Sequence, residues 1–456
     1  MNRASIISAF ILLFIGACTE QTPTADQQAS MPTSAELPAA SSAELPAASS
    51  AELTAASPTV IPAVEPTKTP LSQPTDESAP PTSTVAPSPT AVVLQDVAEE
   101  PTYALEQSAD AGWPMFRLNL QHIGSRDGSW QGAPAIKWQF TTGDTVESSP
   151  AVADGIVYVG TFNKHLFALD ADSGMEIWRF AVGSLLRGSP AASNGVIFFG
   201  ADDNQFYAVE ASDGREKWRF PLGGGGEQSS AAIVNGIVYF GAYDRNVYAL
   251  DAETGREIWR FTTGAGILSS PAVTETSVYI GSNDGNVYAL DRQSGTEQWH
   301  FTTERGVFSS PAVEKGTIYV GSDDGHIYAL DAVSGQEQWR YATGGRVFSS
   351  PALKASVVFV GSGDSFLYAL DAASGQLLWR TSLGGGILAS PALTDELVVV
   401  GSSNGRLYAV QQSDGAIVWE YQIADRLPVW SSAAIVDGVI YVGAHDGNLY
   451  AFEGTP

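Results

Sequence analysis

Short apolar runs separated by turn residues recur through the carboxy-terminal three quarters of the chain. In the stretch 307–343 four runs are legible, VFSSPAVE, GTIYVGS, HIYALDA and EQWRYAT, with breaks at 314–316, 323–325 and 333–335. Each break holds a glycine next to Lys, Asp or Ser, which is turn chemistry, and the middle runs are apolar at nearly every position. The pattern predicts four short antiparallel strands, the middle ones covered on both faces.

This four-strand unit recurs eight times. Its most regular mark is a glycine followed three positions later by Asp or Asn, at a spacing of 40 or 41 residues until a last step of 42. The eight glycines are Gly160, Gly200, Gly241, Gly281, Gly321, Gly361, Gly401 and Gly443. Such a period is typical of propellers and solenoids, and four antiparallel strands make one propeller blade. We therefore predict an all-β fold, an eight-bladed β-propeller of four-stranded antiparallel blades.

The Asp-Asp-Gly-His cluster at 323–326 resembles a metal loop or a catalytic acid at first sight. A group that does chemistry at one place has no need to recur in every unit, whereas a hairpin turn needs Asp or Asn each time. The strand that follows at once cannot bring alternate oxygen ligands together, and no two histidines have the spacing of a zinc site. We therefore predict no metal, no cofactor and no catalytic residue, and we place His165, His326 and His445 on the surface.

A second signature lies where the third strand of each unit meets the fourth. It has the form A-x-D-x-x-[ST]-G-x-x-x-W, as in ALDAVSGQEQW at 329–339, with Glu210 and Gln411 replacing the aspartate in two copies. It resembles the tryptophan-docking motif of the PQQ-like, or quinoprotein-type, β-propeller repeat family. The resemblance implies that the tryptophans pack between blades, and they are Trp138, Trp178, Trp218, Trp259, Trp299, Trp339, Trp379 and Trp419.

The strand count indicates how the ring closes. The last unit stops at 451–453 without its tryptophan strand, while an extra strand, IKWQF at 136–140, precedes the first unit. We predict that this amino-terminal strand completes the last blade. The segment WPMFR at 113–117 resembles the start of bacterial members of the family, and we expect it to pack across the ring.

The first 17 residues have the form of a secretory signal. Arg3 precedes an apolar run at 6–15 that is too short to span a membrane, and Gly16 and Ala17 stand before Cys18. This end resembles a bacterial lipobox, which implies that Cys18 carries a lipid; the alternative is an ordinary signal with an incidental cysteine. Cys18 is the only cysteine in the chain, so we expect no disulfides.

Pro, Ser, Thr and Ala dominate the stretch that follows, and SAELPAAS repeats within it. Such a composition cannot bury enough apolar surface to fold. We predict a signal peptide at 1–17, a disordered tether at 18–110 and a propeller at 111–456.

The formal charge of −27 limits the choice of partner. The predicted propeller carries 37 acidic against 21 basic residues, a balance of −16, and so excludes nucleic acid and anionic lipid surfaces as partners. We expect a monomer that binds a protein and contacts a membrane only through the lipid on Cys18.

The loops from each fourth strand to the next first strand vary most between units, and in a meander they share one face with the Asp-Gly hairpins. The residue before each Ser-Ser-Pro or its equivalent is polar on one arc of the ring and apolar on the other. In order these residues are Glu147, Arg187, Gln228, Leu268, Phe308, Phe348, Leu388 and Trp430. Our candidate binding face consists of Glu147, Arg187, Gln228, Arg305, Phe308, Arg346, Phe348 and Trp430. The alternative for the three aromatic residues is simple packing between blades.

The family resemblance leaves several functions open. Its quinoprotein dehydrogenases hold pyrroloquinoline quinone and calcium on long insertions with adjacent cysteines, which this chain lacks. Its BamB-like lipoproteins of outer-membrane β-barrel assembly share a lipidated start and bare blades, but the tether here is longer than that role needs. We predict an exported, membrane-anchored, non-catalytic lipoprotein that binds protein or acts as a scaffold at the cell surface or on the periplasmic face of a membrane. A BamB-like subunit is the alternative, and a PQQ-dependent dehydrogenase fits least.

Overall fold

The computed structural model describes residues 114–125, 130, 132–224 and 229–454. The predicted signal peptide, Cys18, the tether and Gln228 lie outside the described residues. No helix long and apolar enough to span a membrane occurs in these four stretches.

The described residues form eight sheets of four antiparallel strands and no α-helix. Strand β1 (Pro134–Thr141) precedes blade 1, which consists of β2 (Ala151–Ala153), β3 (Ile156–Gly160), β4 (His165–Asp170) and β5 (Glu176–Ala181). Blade 2 consists of β6 (Ala191–Ser193), β7 (Val196–Ala201), β8 (Gln205–Glu210) and β9 (Glu216–Pro221). Blade 3 consists of β10 (Ala232–Val234), β11 (Ile237–Gly241), β12 (Asn246–Asp251) and β13 (Glu257–Thr262). Blade 4 consists of β14 (Ala272–Val273), β15 (Ser277–Gly281), β16 (Asn286–Asp291) and β17 (Glu297–Thr302).

The second half of the ring repeats the same order. Blade 5 consists of β18 (Ala312–Glu314), β19 (Thr317–Gly321), β20 (His326–Asp331) and β21 (Glu337–Ala342). Blade 6 consists of β22 (Ala352–Lys354), β23 (Val357–Gly361), β24 (Phe366–Asp371) and β25 (Leu377–Ser382). Blade 7 consists of β26 (Ala392–Leu393), β27 (Leu397–Gly401), β28 (Arg406–Gln411) and β29 (Ile417–Gln422). Blade 8 consists of β30 (Ala434–Val436), β31 (Val439–Gly443) and β32 (Asn448–Gly454), completed by β1.

The predicted eight-bladed propeller, closed by an amino-terminal strand, is confirmed. Strand β1 pairs antiparallel with β32 from Pro134 opposite Gly454 to Thr141 opposite Asn448, so the first strand of the chain is the outermost strand of the last blade. The second and third strands of each blade are buried at almost every position, because neighbouring blades cover both faces.

The tryptophan of each fourth strand joins one blade to the next. In seven blades the indole Nε1–H donates to a backbone carbonyl just after the third strand of the following blade, at 2.8 to 3.2 Å. The ring also lies against the turn glycine there: a Cβ on Gly375, whose φ is +69°, would stand 2.6 Å from the ring of Trp339. Trp419 makes no such bond to the described residues, where β32 continues as a strand to Gly454 and forms no turn, and its ring contacts Trp130 at 5.8 Å.

A circle of serines surrounds the axis. One serine precedes each first strand, and its backbone N–H donates to the Oγ of the matching serine in the next blade at 2.8 to 3.1 Å. The eight members of this serine ring are Ser149, Ser189, Ser230, Ser270, Ser310, Ser350, Ser390 and Ser432, and the last donates back to the first. The serine ring therefore joins all eight blades.

Residues 114–125, which we call the axial segment, cross the inner strands beyond the serine ring. Backbone N–H groups in the first-strand regions of five blades donate to carbonyls of this segment; the donors are Ala192, Val273, Val313, Leu353 and Leu393. The guanidinium of Arg117 is buried on the axis and donates to the carbonyls of Pro351 and Pro391. Burial without a carboxylate partner among the described residues lowers the pKa of Arg117 to about 9.

Candidate binding face

Two kinds of connection meet at the end of the ring opposite the axial segment. Strands of a meander alternate in direction, so the loops that lead into each first strand share one face with the turns between second and third strands. Backbone bonds join the two, as where Asp202 N–H donates to Leu185 O at 2.9 Å and His445 N–H donates to Pro428 O at 3.1 Å. These backbone bonds therefore fix the position of each loop relative to the neighbouring turn.

The innermost side chains of this face form what we call the collar. One set, the loop residues, stands two positions before each member of the serine ring: Glu147, Arg187, Gln228, Leu268, Phe308, Phe348, Leu388 and Trp430. The other set, the hairpin residues, stands two positions after each repeat glycine: Phe162, Asp202, Tyr243, Asn283, Asp323, Gly363, Ser403 and His445.

Close packing below the collar fixes where the loop residues stand. In seven of the eight units the residue just before the loop residue is aliphatic and buried, and in blade 6 this residue, Val347, lies directly against Gly321 of blade 5. A Cβ on Gly321 would clash with Val347, which explains why every unit needs this glycine. With the preceding side chain held beneath it, Phe348 remains partly exposed at the mouth.

The polar arc of the collar is an ionic network across blades 8, 1 and 2. Arg187 lies between two carboxylates, with its Nε 3.2 Å from Asp202 Oδ2 and its Nη1 3.9 Å from Glu147 Oε2. His445 Nε2 lies 3.4 Å from Glu147 Oε1. Trp430 packs edge-on against His445 at 4.6 Å and donates its Nε1–H to Ser403 Oγ at 3.1 Å. Side chains from blades 8, 1 and 2, together with Ser403 of blade 7, thus form one cluster.

Burial dominates the electrostatics of this network. It raises the pKa of Glu147 to about 7 and that of Asp202 to about 6, although Arg187 opposes both shifts. It also lowers the pKa of His445 to about 4, with the charge of Arg187 adding to the effect. Near neutral pH His445 is uncharged, while Glu147 is close to the midpoint of its titration.

The apolar arc lies across the ring from this cluster. Phe308 and Phe348 meet between blades 5 and 6 with ring centroids 5.0 Å apart, and both are half-buried, as are Leu268 and Leu388. The aromatic pair therefore packs between blades and still exposes part of its surface. The pair is therefore compatible with both alternatives that the sequence left open, a binding surface and packing between blades.

Two arginines flank the aromatic pair. Arg346 lies with its Nε 3.4 Å from Asp323 Oδ1, and Arg305 is exposed on the preceding loop. Burial raises the pKa of Asp323, and the charges of Arg346 and Arg305 oppose that shift.

The structure brings Glu147, Arg187 and Trp430 into one cluster, and Phe308 and Phe348 into another. The sequence analysis missed the hairpin residues Asp202 and His445, which connect the members of the first cluster. The prediction that His445 lies on the surface is wrong: its side chain is only 15% exposed, because it packs between Trp430 and Glu147. A signal was available, since the hairpin position changes chemical class from unit to unit inside an otherwise regular turn.

The described residues contain no group of three or more His, Cys, Asp and Glu side chains that could hold a metal ion. On the axis beyond the serine ring, the axial segment fills the space between the inner strands. The axial segment therefore occupies the end of the axis opposite the collar.

A family model described as outer membrane protein assembly factor BamB matches residues 133–243, 243–348 and 342–455. The chain belongs to this family. No curated protein matches it.

Solved structures share the fold at low sequence identity. BamB from Moraxella catarrhalis is 18% identical with a TM-score of 0.60, over 71% of this chain and 98% of that one. The computationally designed Ika8 protein is 20% identical with a TM-score of 0.61, over 69% and 97%. The quinohemoprotein alcohol dehydrogenase from Comamonas testosteroni is 16% identical with a TM-score of 0.65, over 76% and 81%. At these identities the likeness shows the fold alone.

Proposed function

We propose that this protein is a membrane-anchored, non-catalytic propeller that binds a protein partner through the collar and acts as a scaffold in the cell envelope. The observation that carries the proposal is that the residues that differ most between the repeat units lie together on one face of the ring. The serine ring and the docking tryptophans repeat almost unchanged, while the collar changes from charged to aromatic around the ring. Regular frames with one variable loop face are typical of binding scaffolds.

A BamB-like role in outer-membrane β-barrel assembly is the second candidate. Membership of the family supports it, together with the lipobox-like sequence before Cys18. The long Pro- and Thr-rich stretch that precedes the ring favours display at the cell surface instead. The dehydrogenase alternative has only structural neighbours at 16% identity in its favour.

Photo-crosslinking in intact cells tests the proposal. A photoreactive residue at position 346 stands beside the apolar arc, and a matched probe at position 333 stands on the opposite face, where Val333 is 86% exposed. We expect the probe at 346, and not that at 333, to capture one defined protein, identified by mass spectrometry. A β-barrel assembly subunit would establish the BamB-like role, and another envelope protein would support the display role.

Equal capture from both positions would contradict binding through the collar. No capture from position 346 in a well-expressed chain would contradict it as well, because a bound partner would cover that position.

A further inference from the structure

The polar arc of the collar has an excess of negative charge. Two carboxylates, Glu147 and Asp202, share the single guanidinium of Arg187, and His445 is neutral at pH 7. Asp203 and Asp446 lie next to the arc, and each accepts a hydrogen bond from a tyrosine of its own hairpin. With both carboxylates ionised, the described part of the arc carries one more negative than positive charge, and a cation from a partner would favour this ionised state of Glu147.

The collar is also short of hydrogen-bond donors. Six buried side-chain nitrogen or oxygen atoms lack a hydrogen-bond partner in the described chain, and four of them belong to hairpin residues. These four are Asp202 Oδ1, Asn283 Oδ1, Asp323 Oδ1 and His445 Nε2. Three are oxygens that can only accept, and a buried acceptor without a hydrogen bond is destabilising, although Arg346 lies near Asp323 Oδ1 at 3.4 Å. Their shared position in the repeat means that the deficit is a property of this face.

Glu147 is the acceptor that a partner can reach. Its side chain is 19% exposed and accepts no hydrogen bond from the described residues, since its neighbours Arg187 and His445 lie 3.9 and 3.4 Å away without the geometry of such a bond. A partly buried carboxylate with free lone pairs at the mouth of a cleft is a common feature of binding sites.

Aromatic rings border the same place. Trp430 stands against His445, and Phe162 already holds the guanidinium of Arg187 at 4.9 Å from its centroid. Aromatic faces next to carboxylates favour organic cations, because the ring quadrupole adds to the charge attraction.

We infer that the polar arc receives a lysine or arginine side chain of the protein partner, with Glu147 as the main acceptor. Only these side chains are positively charged and carry several donors with no acceptor. The partly exposed aromatic pair across the mouth then contacts an apolar residue near that cation in the partner. This inference rests on the proposed function and specifies the chemistry of its partner.

Random heptapeptides displayed on phage and selected against the immobilised full chain test the inference. We expect selected peptides to be enriched in Lys or Arg close to an aromatic or aliphatic residue. The dissociation constant of a synthetic selected peptide is then measured against three proteins: the wild type, Glu147→Gln and a matched control, Glu304→Gln. Glu304 is exposed on the loop before Phe308, so its replacement removes the same charge away from the arc.

Glu147→Gln should raise the dissociation constant of the peptide by at least about tenfold, as expected for loss of one close charge pair. Glu304→Gln should raise it by less than about twofold. Replacing the peptide's lysine or arginine by norleucine should raise the dissociation constant for the wild type by a similar factor. Equal losses in the two protein variants, selected peptides without basic residues, or no selection at all would each overturn the inference. Because crosslinking from position 346 does not depend on Glu147, a partner captured there alongside a negative peptide result would leave the proposed function standing.

Discussion

Glu147 shows how a single side chain of the collar can reduce the stability of the ring. Burial raises its pKa to about 7, so the folded state holds the proton more tightly than the unfolded state does. Arg187, at 3.9 Å and shared with Asp202, compensates only part of this cost. A residue kept in an unfavourable environment is typical of binding sites, where function and stability conflict.

Replacing Glu147 by Gln should therefore stabilise the protein at high pH. Below about pH 4.5 the carboxyl is protonated in both states, so variant and wild type should agree within about 0.5 kcal/mol. As the pH rises from 4.5 to 7 the wild type should lose stability relative to the variant, reaching a difference of about 1 to 3 kcal/mol at pH 8. Urea unfolding followed by tryptophan fluorescence at several pH values measures this difference.

The exposed Glu304→Gln is the control and should change the free energy of unfolding by less than about 0.5 kcal/mol. A Glu147→Gln variant that is less stable than the wild type at pH 8 would show that Arg187 and His445 stabilise the carboxylate after all.

At the scale of the element, the joint between blades depends on a turn as much as on a tryptophan. Asp331 accepts hydrogen bonds from the Oγ–H and N–H of Ser334 at 2.7 and 2.8 Å, and these bonds lower the pKa of Asp331. They shape the turn so that Gly335, at a φ of +70°, meets the ring of Trp299 from the preceding blade. One motif therefore supplies the turn for one joint and the tryptophan for the next.

The joint can be tested by replacing Trp339 with alanine. The variant loses the hydrogen bond to Ala372 O, at 2.9 Å, and the packing against Gly375. We expect a loss of about 3 to 5 kcal/mol in the free energy of unfolding. Val333→Ala, at an 86% exposed position in the adjacent turn, should change it by less than about 0.5 kcal/mol. A tolerated Trp339→Ala would mean that the other contacts between blades 5 and 6, such as the bond from the Tyr319 hydroxyl to Ala372 O, suffice without the tryptophan.

At the scale of the whole molecule, closure of the ring depends on β1. This strand supplies the outer edge of blade 8, and its Trp138 donates to Ala171 O in blade 1 at 3.0 Å. Without it, β32 would be an exposed edge and the joint between blades 8 and 1 would lose its tryptophan.

Deleting residues 133–141 should lower the melting temperature by more than about 10 °C, because several kcal/mol of strand pairing and docking are lost. Removing the same number of residues from the predicted tether, 50–58, is the control and should leave the melting temperature unchanged. Differential scanning calorimetry measures both. An unchanged melting temperature after the first deletion would contradict closure through β1.

Repetition explains which parts of this molecule are predictable from sequence. The repeat glycines and the strand count predict eight blades and their closure, because each unit provides the same signal again. Arg117 has no counterpart in the repeats, and the carbonyls that hold it belong to Pro351 and Pro391, more than 200 residues away. The pairing of Arg187 with Asp202 was not predicted either. It depends on the conformation of the loop before blade 2, which brings Arg187 over the hairpin of the same blade.

The axial segment has a mechanical consequence. The axial segment begins at Pro114, whose carbonyl is bonded to blade 2, so a force applied to the chain ahead of Pro114 would act on this segment. Five backbone bonds to blades 2, 4, 5, 6 and 7 would carry that load together, whereas a pull on an edge strand would break its bonds one after another. The force would then be shared among five of the eight blades and would not be concentrated on one edge strand.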